Sequence, residues 1–264
     1  MDFKSINMKK GLILFIAFFC ITSAQSQVLI SLLFGDKLNS PFLEFGLDGG
    51  VNFSTISNME TSGTEVGFNL GFYFDLRSKK NPAWMINTGV IVKSPMGAHG
   101  MPVYSLGDTN LDNTFAGGKV DREIRYFNVP ILIKYQFKNN IYLKTGPQLG
   151  LLAKAFDKFR KEYDGDEVVY KHNIRDQIHV IDAGIALGAG YHMNVGNGLN
   201  MTVQYYYGLV PVMKGDGPEQ FNRSLYVTAG IPIGRGKAAR KKAEKETELN
   251  RVILPEEEAP KSKN

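Results

Sequence analysis

The chain has 264 residues, 43% hydrophobic and 22% charged, with 28 Gly, 12 Tyr, 17 Phe, one Cys and one Trp. That length holds one domain or two small ones with the apolar content of a folded chain, and a single Cys excludes a disulfide framework and a thiolate zinc site. A mean hydropathy of −0.17 excludes a polytopic helical membrane protein, which needs several apolar runs of about 20 residues. It does not exclude a membrane β-barrel, whose strands alternate apolar and polar residues and average out. Lys4, Lys9 and Lys10 against Asp2 give residues 1–26 a charge of +2, and nine Lys/Arg against six Glu give residues 235–264 a charge of +3. The total of +5 therefore leaves residues 27–234 neutral. The body has no basic footprint for nucleic acid.

Met8-Lys9-Lys10 precedes an apolar run of 11 residues, Gly11–Ile21, and the small-residue zone Thr22-Ser23-Ala24-Gln25-Ser26 follows. This order predicts a secretory signal peptide over residues 1–26. The run is too short for a membrane anchor. Phe19 stands directly before Cys20 where a lipoprotein needs a small residue. Residues 27–41 begin with the apolar Val28-Leu29-Ile30 and are expected to form an N-terminal periplasmic segment.

Period two then dominates. Val66, Phe68, Leu70, Phe72 and Phe74 oppose Gly67, Asn69, Gly71, Tyr73 and Asp75. Phe127, Val129, Ile131, Ile133 and Tyr135 oppose Asn128, Pro130, Leu132 and Lys134. The pattern predicts eight strands, at about 42–53, 66–76, 83–93, 122–137, 141–154, 177–192, 199–210 and 222–233. Most exceed the 5–6 residues usual in soluble proteins and suit a tilted spanning strand of about 9–11. The connections run about 12, 6, 28, 3, 22, 6 and 11 residues, the alternation of tight turns and long outer loops found in up-and-down barrels. The expected fold is all-β: an eight-stranded, antiparallel, up-and-down transmembrane β-barrel over residues 42–234. A charged periplasmic tail without a packed core follows over 235–264.

In hydrocarbon every backbone group must pair within the protein, so a spanning sheet closes on itself. The apolar faces would meet lipid. Glu44, Asp48, Asp75, Lys93, Lys134, Lys144, Gln148 and Asp182 would lie inside. Eight strands enclose a space that side chains fill, so opposite charges there predict a plug and not a pore. Trp84 and the aromatic residues near strand ends suit interfacial girdles. The soluble alternative is a secreted lipocalin-like barrel with its faces reversed. Strand length, loop alternation and the signal peptide favour the membrane.

Two strands carry a family likeness. Tyr126-Phe127-Asn128-Val129-Pro130-Ile131-Leu132-Ile133-Lys134-Tyr135 resembles a signature strand of the PorT-like outer-membrane β-barrel family of Bacteroidetes. Gly146-Pro147-Gln148-Leu149-Gly150 resembles the strand that follows it there. The resemblance is tight over about 30 residues and looser over 42–234. It implies an eight-stranded barrel in the outer membrane of a Gram-negative bacterium, and its best-known members are linked to type IX protein secretion. The motif residues Tyr126, Pro130, Lys134, Tyr135, Gly146, Pro147, Gln148 and Gly150 carry fold and no catalytic role. One departure is that a 30-residue tail follows the last strand, where such barrels often end on an aromatic residue.

No cofactor, metal or catalytic set emerges. His99, His172, His179 and His192 lack H-x-x-x-H or H-E-x-x-H spacing. Asp108-Thr109-Asn110-Leu111-Asp112-Asn113 opens like a calcium loop but places Asn113 where Gly belongs and Lys119 where Glu belongs. Ser94 with His99, and His172 with Asp176, are neighbours without a recognised catalytic setting. The loops 94–121 and 155–176 are the expected functional surface. Met96, Met101, Val103, Tyr104, Leu106 and Phe115 make the first unusually apolar, so that it either binds a partner or folds over its own barrel mouth. The expected function is a non-enzymatic barrel in outer-membrane lipid, an accessory or anchoring subunit that meets other envelope proteins through those loops or the tail 235–264. A small passive channel or ligand-binding barrel is the alternative, and a rim enzyme a third reading.

Overall fold

The computed structural model describes residues 42–61, 63–193 and 198–233. The expected signal peptide, the segment 27–41 and the tail 235–264 lie outside the described residues. The alternating runs all become strands: β1 (Leu43–Ile56), β2 (Glu65–Arg77), β3 (Trp84–Lys93), β4 (Pro95–Met101), β5 (Lys119–Gln136), β6 (Ile141–Tyr163), β7 (Asp166–Asn173), β8 (Ile181–Met193), β9 (Leu199–Pro211) and β10 (Phe221–Pro232). A short helix, α1 (Thr109–Phe115), and a 3-10 turn at Arg175–Gln177 complete the described elements. The expected count of eight strands becomes ten, because β4 and β7 form inside the stretches read as loops.

All pairings are antiparallel. They run β1–β2–β3–β5–β6–β8–β9–β10, and β10 pairs back to β1 from Gly46↔Pro232 to Ile56↔Asn222. β4 adds to the first part of β5, and β7 adds to the last part of β6. Residues 78–83 and 137–140 make short connections at one end of this ring. At the other end β4, β5, β6 and β7 continue beyond it as a four-stranded head.

Burial follows the alternation. In β9, Asn200, Thr202, Gln204 and Tyr206 are buried, while Met201, Val203, Tyr205, Tyr207 and Leu209 are exposed. The same holds around the ring, where Phe68, Ile86, Ile133, Leu143, Leu187 and Ile231 point away from it. A Val, Leu, Ile or Phe left in water forfeits about 1.5–3 kcal/mol, so a continuous apolar belt of this kind fits hydrocarbon and not solvent. Trp84, Tyr135 and Phe137 gather at the short-turn end, with ring centroids 4.8 and 4.9 Å apart in successive pairs, as an interfacial girdle requires.

Inward glycines give room to tyrosines. A Cβ on Gly46 would collide with Tyr73 Cε1, and one on Gly190 with Tyr142 Cζ. At Pro130, which lacks an N–H, the β3–β5 ladder skips from Thr88↔Ile131 to Ile91↔Asn128.

Candidate functional site

Two places concentrate polar chemistry: the interior of the ring and the head. Inside, Lys134 Nζ lies 2.6 Å from Asp75 Oδ2, and Asn87 donates to Asp75 Oδ1 at 2.7 Å. Lys144 reaches Asn87 at 3.5 Å, and Lys134 also sits 4.1 Å over the Tyr142 ring. Tyr73 donates to Glu44 at 3.1 Å and Asn200 to Glu44 at 3.2 Å, with Arg77 3.6 Å from the same carboxylate. His192 Nδ1 meets Asn200 Oδ1 at 2.8 Å. Asp182 accepts from Tyr206 at 2.9 Å and from Asn222 at 3.2 Å, and Gln204 donates to Gln148 at 3.4 Å. One cavity there, of about 40 Å³, is lined by Asp48, Asp75, Lys134, Lys144, Thr202 and Thr228 among others. That holds about one to three waters.

Glu44, Asp75, Lys134, Lys144, Gln148 and Asp182 are buried in this network, and Asp48 is half-buried beside the cavity. Lys93 is a correction. The alternation places it inside, and it is exposed, with Nζ 5.4 Å over the Phe68 ring. The cause is a β-bulge: Leu70 pairs with Lys93 but Gly71 pairs with Ile91, so Val92 is an extra residue. Val92 and Lys93 then both face out. Of the motif residues, Tyr126 is buried, Tyr135 leans on Trp84, and Pro147 is exposed. Gly146 has φ +156, and a Cβ there would collide with Ile131 O.

The head reverses the chemistry. Met96, Ala98, Met101, Phe115, Val120, Ile124, Ala155 and Phe159 form one apolar core with Ile174, Ile178 and Val212. The apolar 94–121 stretch therefore folds onto its own barrel mouth, the second of the two options read from its composition. One ion pair is set in that core: Arg122 grips Asp157 bidentately, Nε to Oδ1 at 2.9 Å and Nη2 to Oδ2 at 2.7 Å. Tyr104 donates to Asp157 at 2.8 Å. Burial and the Asp157 carboxylate both push the Tyr104 hydroxyl above its usual value. Alongside Tyr104, Val103, Leu106, Leu111, Phe115 and Phe159 line an apolar cleft of about 300 Å³ beneath α1.

The opposite face of β5 and β6 is an ionic layer. Glu123 is bound by Lys158 and Arg125. Burial raises its carboxyl, and those two cations more than offset this, so it sits below the ordinary carboxylate value. Asp121 accepts from Gly100 N at 2.9 Å and lies 2.7 Å from both Arg160 and His99. Glu65, His99 and Asp121 bring three possible metal ligands within 4.8 Å. The Arg160 guanidinium already neutralises Asp121 there, so the geometry is that of an ion-pair network.

Neither neighbouring pair weighed as catalytic forms a nucleophile and base. Ser94 Oγ donates to Tyr226 at 3.3 Å while His99 turns to Asp121. His172 lies in β7 and Asp176 in the 3-10 turn, with no hydrogen bond between them among the described residues. The calcium-like stretch is a helix cap. Asp108 Oδ1 accepts from Asn110 N at 2.8 Å and Leu111 N at 3.3 Å, and Asp112 holds Ser105 Oγ at 2.6 Å and Leu106 N at 2.7 Å. Sequence reasoning misses the pair because Arg122 reads as the first residue of an expected strand and Asp157 as one more charge in a loop. Their facing register in β5 and β6 is what joins them.

The comparison with curated proteins finds no match. Among solved structures, the chain is similar to the attachment invasion locus protein Ail of Yersinia pestis, at 15% identity and a TM-score of 0.35, over 72% of this chain and 97% of that one. OprG from Pseudomonas aeruginosa gives 15% and 0.37 over 72% and 93%. Neisserial surface protein A gives 12% and 0.33 over 74% and 97%. Residues 24–214 match the outer membrane protein beta-barrel domain family. With most of its length in that match, the chain belongs to this family of outer-membrane β-barrels.

Proposed function

We propose that the protein is a plugged, non-enzymatic outer-membrane anchor that holds its head outside the membrane to engage other envelope proteins. The eight strands of the cyclic pairing are the spanning wall, with the short turns on the periplasmic side. The observation that carries this reading is the filled interior: Lys134–Asp75, Glu44 with Tyr73 and Asn200, and the Asp182 cluster cross it, and the cavity beside Lys134 and Lys144 is about 40 Å³. An ion with its hydration shell needs a continuous path, and a pocket for one to three waters gives none. The likeness of residues 126–150 to PorT-like barrels supports a place as an accessory subunit of an assembly such as type IX protein secretion.

Two measurements test it. In planar bilayers the purified barrel is expected to give no stepwise conductance; regular channel openings would overturn the plug. In native sizing after gentle detergent extraction, the barrel is expected in a complex larger than itself, with its partners read by mass spectrometry. Migration as an isolated barrel would remove the accessory role. The apolar cleft beneath α1 favours a second reading, a small-ligand site in the head. A solvatochromic apolar dye that reports on wild type and on Leu111→Trp alike would count against it.

A further inference from the structure

β7 is a strand with one partner. It pairs with β6 from Phe156↔Asn173 to Tyr163↔Asp166 without a register shift, and its other edge has no partner among the described residues. Every residue of β7 except His172 is exposed. Edge strands are usually blunted by proline, bulges or charge. Here the centre is Val168-Val169-Tyr170, with no proline and no bulge.

The charges of β7 do not suit β6. Glu167 stands directly opposite Glu162, and Lys171 directly opposite Lys158. Like charges across a ladder oppose pairing. Lys171 has no ion-pair partner among the described residues, and Glu167 has only Arg160, at 3.7 Å. The charges do suit the same strand reversed. Laid antiparallel about Val169, a second Asp166–Asn173 puts Glu167 against Lys171, Asp166 against His172 and Val168 against Tyr170, each twice. Shifting the centre to Val168 or Tyr170 leaves Glu167 without a basic residue opposite it. The faces agree as well. Val168 and Tyr170 share one face, and Tyr170 leans there on Phe115 and Phe159, with centroids 6.3 and 6.4 Å away. Glu167, Val169 and Lys171 share the other.

We propose that β7 is a homotypic pairing edge, through which two copies of this chain join their heads antiparallel about a two-fold axis at Val169. Such an interface is isologous and closed, so it stops at two. Main-chain hydrogen bonds extend each four-stranded head into one sheet of eight, and the Glu167–Lys171 pairs fix the register. The inference rests on the head standing outside the membrane, and does not depend on the accessory role.

The test uses full-length protein in outer membranes. The signal-peptide residue Cys20 is the chain's single cysteine, so Val169→Cys gives the mature protein one thiol. Directly facing Cβ atoms in an antiparallel pair lie about 4.5–5.5 Å apart, near enough for a disulfide after a small adjustment. A disulfide-linked dimer is expected on mild oxidation. Adding Glu167→Lys, or adding Lys171→Glu, is expected to cut it by roughly tenfold, since each reversal turns two attractive pairs repulsive. Mixing those two variants on differently tagged chains is expected to restore it. One chain then carries lysine at both positions and the other glutamate at both, so each facing pair is again of opposite sign. Heat-modified gel mobility confirms that each variant is folded. A thiol labelled by an impermeant maleimide on intact cells but giving no dimer overturns the pairing. A crosslink only to an unlike chain also overturns it. A thiol that neither forms a dimer nor labels on intact cells instead overturns the external placement of the head.

Discussion

Within β6 alone, residues 141–152 turn Ile141, Leu143, Leu149 and Leu151 outward and Tyr142, Lys144 and Gln148 inward. Beyond Ala153 the same strand turns Ala155 and Phe159 inward and leaves Lys154 and Glu162 exposed. The switch is a bulge: Arg125 pairs with Lys154 but Tyr126 pairs with Leu152, so Ala153 is extra and the phase of the alternation flips. The barrel wall is thus apolar outside and polar inside, and the head is apolar inside and ionic outside. One strand builds both regions, and the extra residue marks where one pattern gives way to the other.

Breaking a buried charge is expected to have the largest effect in both regions, with different consequences. Lys134→Ala strands Asp75, and Asp157→Ala strands Arg122; each is expected to cost about 3–5 kcal/mol. Urea unfolding in detergent is expected to show Lys134→Ala weakening the whole barrel. Asp157→Ala is expected to leave the heat-modifiable barrel band in place while trypsin clips the head. A common loss of the barrel band would show that the two regions unfold as one.

The same substitution on the two outer surfaces comes next. Leu187→Arg, at the middle of β8, places a guanidinium in hydrocarbon and is expected to cost about 2–4 kcal/mol. Tyr163→Arg, on a residue of the head that is 71% exposed, is expected to stay within about 0.5 kcal/mol. Equal losses by the same unfolding measurement would put both surfaces in one solvent.

The smallest effect is acid loosening of the head. The carboxyl of Glu123 titrates below its ordinary value of 4.5 because Lys158 and Arg125 outweigh its burial. A depressed folded value makes its contribution complete above the unfolded value and lost as pH falls through the folded one. Head-specific proteolysis by an acid-active protease is expected to rise as pH is lowered below 4.5, and Glu123→Gln to flatten that rise. An unchanged pH profile in Glu123→Gln would assign the acid sensitivity to other groups.

The strands of the ring are legible because the wall of an outer-membrane barrel obeys a strict rule. Each spanning stretch alternates without interruption, and the expected strand at 199–210 lies within one residue of Leu199–Pro211. The inward residues Glu44, Asp75, Lys134, Lys144, Gln148 and Asp182 follow from the same parity. Parity misplaces Lys93 because it runs straight through Val92, and a bulge has no signature in the sequence of one strand; it exists only in the register against Leu70 and Gly71. β4 is hidden for another reason. Pro95-Met96-Gly97-Ala98-His99-Gly100-Met101 has proline, glycines and no alternation, because nearly all of its residues are buried. Gly97 is needed there, since a Cβ at its φ of +149 would meet Arg122 O.

By itself the sequence determined that this chain builds a membrane-type wall: period two, the strand lengths and the alternating connections are local properties that any closed spanning sheet must satisfy. Only the tertiary structure decided what the long connections do. Arg122 meets Asp157 through strand register across 35 positions of chain, the connection after β4 brings Tyr104 onto the same carboxylate from 53 positions away, and β7 keeps an open edge. Register is set by bulges and packing across strands, and no single strand carries it.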